Sequence, residues 1–141
     1  MPNPPLYAPW RMQYIRSIDK PSDKCFLCEA AAATADQDRR ERLVLWTSAR
    51  SVVLINRYPY TNGHLMVAPK AHLAELEDLD DATLLDLQQQ TAAAIRLLKR
   101  AVSAQRVNIG MNLGRCAGAG VPGHLHQHVV PRWAGDTNFM S

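Results

Sequence analysis

The amino-acid sequence predicts an α+β domain with a mainly antiparallel five-stranded sheet, one long helix and one short helix. Three observations carry that expectation. Five short runs of β-branched or alternating residues are bounded by turn formers. Residues 80–103 have the apolar spacing of a helix. The order is strands, then the long helix, then more strands, which suits an α+β arrangement.

The elements follow in chain order. Residues 1–22 form an irregular arm, because Pro2, Pro4, Pro5 and Pro9 each remove a backbone donor and bias the preceding residue to extended structure. Residues 29–35 (EAAAATA) form the short helix, alanine being the best helix former. Residues 36–42 (DQDRRER) mix charge signs and read as a solvated loop or helix end. Strands are expected over 43–46, 51–56 and 63–69, the last stopped by Pro69 and Lys70. In the long helix, Leu84, Leu87, Thr91, Ala94, Ile95, Leu98 and Val102 make one apolar stripe. Asp80 or Asp81 can cap its start, and Arg96, Lys99 and Arg100 suit its end. Residues 106–113 alternate and predict a fourth strand, residues 124–131 a fifth, and residues 134–141 a tail.

Composition narrows the class. The chain has 141 residues, the size of a single domain able to bury one core. Apolar residues make up 47% and charged residues 21%, an ordinary globular mix. A net charge of +3 without interleaved aromatics gives no nucleic-acid footprint. The start, MPNPPLYAPWRMQYI, lacks the apolar core of a secretory signal, and no run approaches the roughly 18 apolar residues of a membrane span. Three cysteines, Cys25, Cys28 and Cys116, do not close a disulfide framework, so the cytoplasm is the expected compartment.

Three of the five histidines sit two apart in HLHQHVV, residues 124–130. In a strand such spacing places His124, His126 and His128 on one face, with Leu125, Gln127 and Val129 on the other. In a helix, residues two apart diverge by about 200° and could not converge. Two ligands suit converging imidazoles: a metal ion, or a phosphate with one ring as nucleophile and the others as orienter and proton donor. Just before them, residues 114–123 (GRCAGAGVPG) hold four of the seven glycines. Such a loop can turn its N–H groups inward around an anion, or be a plain flexible connection. Cys25-Phe26-Leu27-Cys28 is a CxxC pair, which alone is open to redox, metal or packing readings.

Together these segments resemble the histidine triad family, whose motif is His-φ-His-φ-His-φ-φ with φ apolar; here Gln127 takes one apolar position. NRYPYTNGH, residues 56–64, resembles the family's Asn-Arg-x-Pro…Gly-His block, and PKAH its Pro-Lys-x-His. APWRMQYI and PRWAGDTNF are similar to the bacterial branch that acts on dinucleoside polyphosphates, and Pro131-Arg132 to the fragile-histidine-triad-like branch. The resemblance implies a HIT-like fold and nucleotidyl transfer or hydrolysis at an α-phosphate, with diadenosine polyphosphates such as Ap4A or Ap3A cleaved through a covalent nucleotidyl-histidine. It implies a purine nucleotide or dinucleoside polyphosphate as substrate and no organic cofactor. His126 is then the nucleophile, His128 the contact to phosphate or leaving group, and His124 a supporting residue. Asn56 is expected on ribose, with Asn112 and the backbone of Gly118, Ala119 and Gly120 on phosphate. His64 is expected either near the phosphate or behind it. The chain departs from the family at Ala119, Gly120 and Val121, where many relatives carry Gly-Gln-Ser/Thr, and this leaves hydrolase and phosphorylase unseparated.

The resemblance further implies a structural zinc on Cys25, Cys28, His72 and His124, a Cys₂His₂ set. It also implies a homodimer built around the long helix and a sheet edge. Rival readings are a phosphoramidate hydrolase, a nucleotide sensor without chemistry, and a zinc hydrolase that binds metal through all three triad histidines.

Overall fold

The computed structural model describes residues 25–57, 63–114 and 121–136. Its elements are α1 (Phe26–Ala32), α2 (Asp36–Glu41), β1 (Val44–Thr47), β2 (Ser51–Ile55), β3 (Leu65–Pro69), a 3-10 turn (Leu76–Asp78), α3 (Asp81–Ala101), β4 (Arg106–Gly110) and β5 (Gln127–Arg132). The five strands form one sheet in the order β1-β2-β3-β5-β4, and every pair is antiparallel. The expected α+β architecture is the one observed, with α2 as an additional short, solvated helix over the mixed-charge segment.

The strand period sorts the sheet into two faces. On one, Val53, Leu65, Val67 and Val129 pack with Leu125 against Leu87, Ala94 and Leu98 of α3. On the other, Val52, Leu54, Met66 and Ala68 pack against Leu27 and Ala30 of α1. Antiparallel pairing sets Met66 and Gly110 on either side of His128, so the histidine shares the face that α1 packs against.

α3 forms for the reasons its sequence suggests. Asp80 caps it by accepting from the Thr83 amide at 2.8 Å. Thr83, Leu87, Thr91, Ala94 and Leu98 make its buried stripe. Lys99 and Arg100 lie in the last turn. Beyond it, Ser103 adopts a positive φ of 54°, and the Ala104 amide returns to the Leu98 carbonyl, which stops the helix at Ala101. Trp46 and Ser48 bind Gln90 and Asp86 of the helix, fixing the β1–β2 hairpin to it.

Three boundaries differ from expectation in a way that shapes the site. α1 begins at Phe26, directly after Cys25. The CxxC pair is therefore the first helical turn, and a spacing of three brings both sulfurs to one side. β5 begins at Gln127, not at residue 124. The backbone before it is engaged elsewhere: the Leu125 amide bonds the Leu73 carbonyl at 2.8 Å, and the His124 amide the Val121 carbonyl at 3.4 Å. Only His128 of the three histidines lies within a strand. β4 likewise ends at Gly110, short of the expected 113, which leaves Asn112 in the loop beyond it.

Candidate functional site

The three histidines do not converge on one point. His124 joins one cluster, and His126 and His128 belong to another.

In the first cluster, His124 is fully buried. Its Nε2 lies 2.7 Å from the Pro69 carbonyl oxygen. A carbonyl only accepts, so Nε2 carries the proton and a neutral ring has its lone pair on Nδ1. That Nδ1 is 3.3 Å from Cys25 Sγ, 3.4 Å from Cys28 Sγ and 3.2 Å from His72 Nδ1. Cys28 Sγ is also 3.3 Å from His72 Nδ1. Tetrahedral zinc with ordinary bond lengths separates its donor atoms by about 3.4–3.8 Å, so two thiols and two imidazoles at these spacings form a set able to hold a metal ion. The Pro69 carbonyl supplies the outer hydrogen bond that metal-binding histidines ordinarily make. Burial pushes the Cys25 thiol up, but the His124 ring when protonated on both nitrogens, together with the backbone amides of Cys28 and Leu27, stabilises the thiolate and brings it down to about 6. Burial and the adjacent Cys25 charge push Cys28 up. One thiolate is thus poised near neutral pH, and a bound cation favours the second.

In the second cluster, His126 Nδ1 lies 3.0 Å from the His124 carbonyl oxygen. By the same reasoning Nδ1 holds the proton, and the lone pair of the neutral ring is on Nε2. The His126 and His128 rings are 4.9 Å apart and nearly perpendicular. His128 Nδ1 lies 2.8 Å from Nε2 of His64, which is fully buried. One of these two rings donates and the other accepts, so they share a proton along one line. The Asn56 amide nitrogen lies 3.3–3.4 Å from both nitrogens of His64. Asn56, His64, His128 and His126 therefore form a continuous buried polar row. His64 is a full member of it, and its sequence signals are its place after Gly63 at a strand start and its position at the end of the NRYPYTNGH block.

β4 flanks this row. Gly110 pairs with His128, and a Cβ there would meet no described atom within 4 Å. Asn112 lies two residues beyond Gly110, in the loop that leaves β4. Farther along the same face, Arg132 grips Asp136 through two bonds of 2.9 and 2.7 Å, and Asn108 through a third of 2.6 Å. This fixes the chain after β5. Sequence reasoning missed Asn108 and Asp136; the signal was the parity of Arg132 with His128 along the strand. Gly118, Ala119 and Gly120 lie outside the described residues, as do Cys116 and the 1–22 arm.

Metal coordination by all three triad histidines does not match this geometry. Among the described residues the candidate metal cluster takes only His124 from the triad. No helix among them is long and apolar enough to cross a membrane.

The sheet and the divided histidine set define a histidine-triad domain. The HIT domain family profile matches residues 38–135, and the chain belongs to that family. It is 37% identical over 139 residues to a protein named AP-4-A phosphorylase from Mycobacterium tuberculosis, covering 96% of this chain and 71% of the relative. It is 32% identical over 93 residues to the asymmetrical bis(5'-nucleosyl)-tetraphosphatase of Schizosaccharomyces pombe, covering 66% of this chain and 50% of that one. Among solved structures, a Zn-bound histidine triad family protein from Mycobacterium smegmatis superposes with a TM-score of 0.67 at 27% identity, over 80% of this chain and 78% of the other.

Proposed function

We propose that this protein cleaves diadenosine polyphosphates at an α-phosphate through a covalent nucleotidyl-histidine on His126. The observation that carries this reading is the 3.0 Å hydrogen bond from His126 Nδ1 to the His124 carbonyl, which leaves the lone pair on Nε2. A neutral imidazole is a competent nucleophile near pH 7. Nε2 attacks the α-phosphorus in line as the bond to the polyphosphate oxygen breaks. With Ap4A the first leaving group is ATP. His128, proton-linked to His64, lies beside the nucleophile and is suited to neutralise that oxygen. The acceptor then attacks the phosphoramidate and restores the ring. Phosphate yields ADP; water yields AMP. Asn56 is assigned to ribose, and Asn112 with the backbone of residues 118–120 to phosphate. The likeness to a protein named AP-4-A phosphorylase supports phosphate as the acceptor.

The Cys25, Cys28, His72 and His124 set is assigned to structural zinc, whose contribution is to cross-link α1 to the segment before β5. The donor chemistry and the Zn-bound neighbour support it. We assign no organic cofactor. We further propose one domain across residues 1–141, a cytoplasmic location, and a homodimer. Exposed Leu85 on α3 and Ile109 on the edge strand β4 support the dimer, which sedimentation analysis tests.

Incubation with Ap4A, acid-free quenching and mass spectrometry should find an adenylyl group on His126. Product analysis with and without phosphate then assigns the acceptor: ADP only when phosphate is supplied means phosphorolysis, AMP in its absence means hydrolysis. No adduct and no cleavage of any dinucleoside polyphosphate would sink the proposal.

A further inference from the structure

Gln127 stands where the family pattern has an apolar residue, between the two site histidines. Its side chain points to the opposite face, toward α3, and is only 4% exposed. There it lies between Leu125 and Val129 of the main core, across the ladder from Val67. A primary amide at such a place is costly unless bonded. Its Nε2 donates to Thr91 Oγ1 at 2.8 Å, and Thr91 Oγ1 in turn donates to the Leu87 carbonyl at 2.8 Å. Gln88, on the helix surface, faces the same amide at 3.4 Å.

We propose that Gln127 is a positioning residue: its bond to Thr91 sets the register of the histidine-bearing backbone against α3, and so the placement of the His126 and His128 rings on the far side. The physical reason is directionality. A leucine or valine packs against the helix without a preferred offset, so a slide of a few tenths of an ångström changes little. An amide bonded to a hydroxyl that is itself anchored to Leu87 loses its bond on the same slide. His126 and His128 are its immediate neighbours, and any slide moves both rings relative to His64 and the incoming phosphorus. Misplacement on that scale is expensive for an in-line attack. The inference rests on the reading of His126 as nucleophile, and its test keeps the two apart.

The variants are Gln127→Leu, Thr91→Val and Thr91→Ser, in the full chain. Gln127→Leu leaves no buried group unsatisfied, since Thr91 keeps its bond to Leu87, so the melting temperature should stay close to wild type. Its kcat for Ap4A should fall about 10- to 100-fold, with KM changed less than about threefold. Thr91→Val should behave alike in kcat. Thr91→Ser, which keeps the hydroxyl, should retain wild-type kcat. The independent readout is the ¹⁵N NMR spectrum of the His126 and His128 rings, which needs no substrate. Gln127→Leu and Thr91→Val should shift or broaden these signals, and Thr91→Ser should not. Wild-type kcat and unmoved ring signals in Gln127→Leu overturn the inference, as does a loss of kcat that merely tracks a loss of folded protein. If the wild-type protein cleaves no dinucleoside polyphosphate, the reaction reading fails, and the ring spectra alone decide the role of Gln127.

Discussion

His124 binds two neighbourhoods at once: its Nδ1 faces Cys25, Cys28 and His72, while its backbone carbonyl holds Nδ1 of His126 at 3.0 Å. The residue that completes the candidate metal cluster is therefore the residue that fixes the tautomer of the proposed nucleophile. Separate consequences follow for each side of it.

His126→Ala should abolish turnover while leaving the fold. The loss expected for removing a covalent nucleophile is on the order of 10⁴-fold or more in kcat. Stopped-time product assays with Ap4A measure it, and circular dichroism checks the fold. Turnover within about tenfold of wild type would assign the chemistry to another group.

Purified protein should carry close to one equivalent of zinc by elemental analysis. Its removal with a strong chelator should lower the melting temperature by roughly 5–15 °C, because a metal bound only by the folded state stabilises it. Cys28→Ser should reproduce the effect. Equal melting curves with and without chelator would exclude a structural metal at the Cys₂His₂ set.

His64→Ala removes the 2.8 Å partner of His128. Without it the proton on that line is no longer placed, and kcat should fall by about 10²-fold, within the usual range for an acid–base contribution. The pH–rate profile should change shape as well. A variant that is merely less stable would keep the wild-type profile when assayed at low temperature.

The pair of Arg132 and Asp136 should make stability depend on pH on the acid side. The Arg132 guanidinium, bonded to it twice, holds the Asp136 carboxyl below the usual carboxylate range. A depressed folded pKa stabilises above the unfolded value near 4 and loses that contribution as pH falls through the folded pKa. Asp136→Asn should therefore be less stable than wild type at pH 6–7, and the gap should close below about pH 4. Urea midpoints at the two pH values test this. A gap that is constant across the range would show that the ion pair contributes nothing.

Some of this was open to reading along the chain, because it depends on neighbours in sequence. The apolar stripe of α3 and its Asp80 cap arise from contacts three and four residues apart, and the strand runs from the alternation of burial. The HLHQHVV spacing sets the His126 and His128 rings side by side, 4.9 Å apart. The family resemblance grouped Cys25, Cys28, His72 and His124, and the fold brings those four together.

The tertiary structure alone divided the histidines. His124 meets a cysteine 99 residues away, and His128 a histidine 64 residues away, so neither encounter leaves a periodic trace. Likewise β5 starts at Gln127 because Leu125 bonds to Leu73 rather than to a strand neighbour, and Gln127 is tolerated in the core because Thr91 waits 36 residues earlier on α3. Local periodicity fixes which way a side chain faces; what it faces is decided by chain closure over long distances, where hydrogen-bond geometry selects one partner among many.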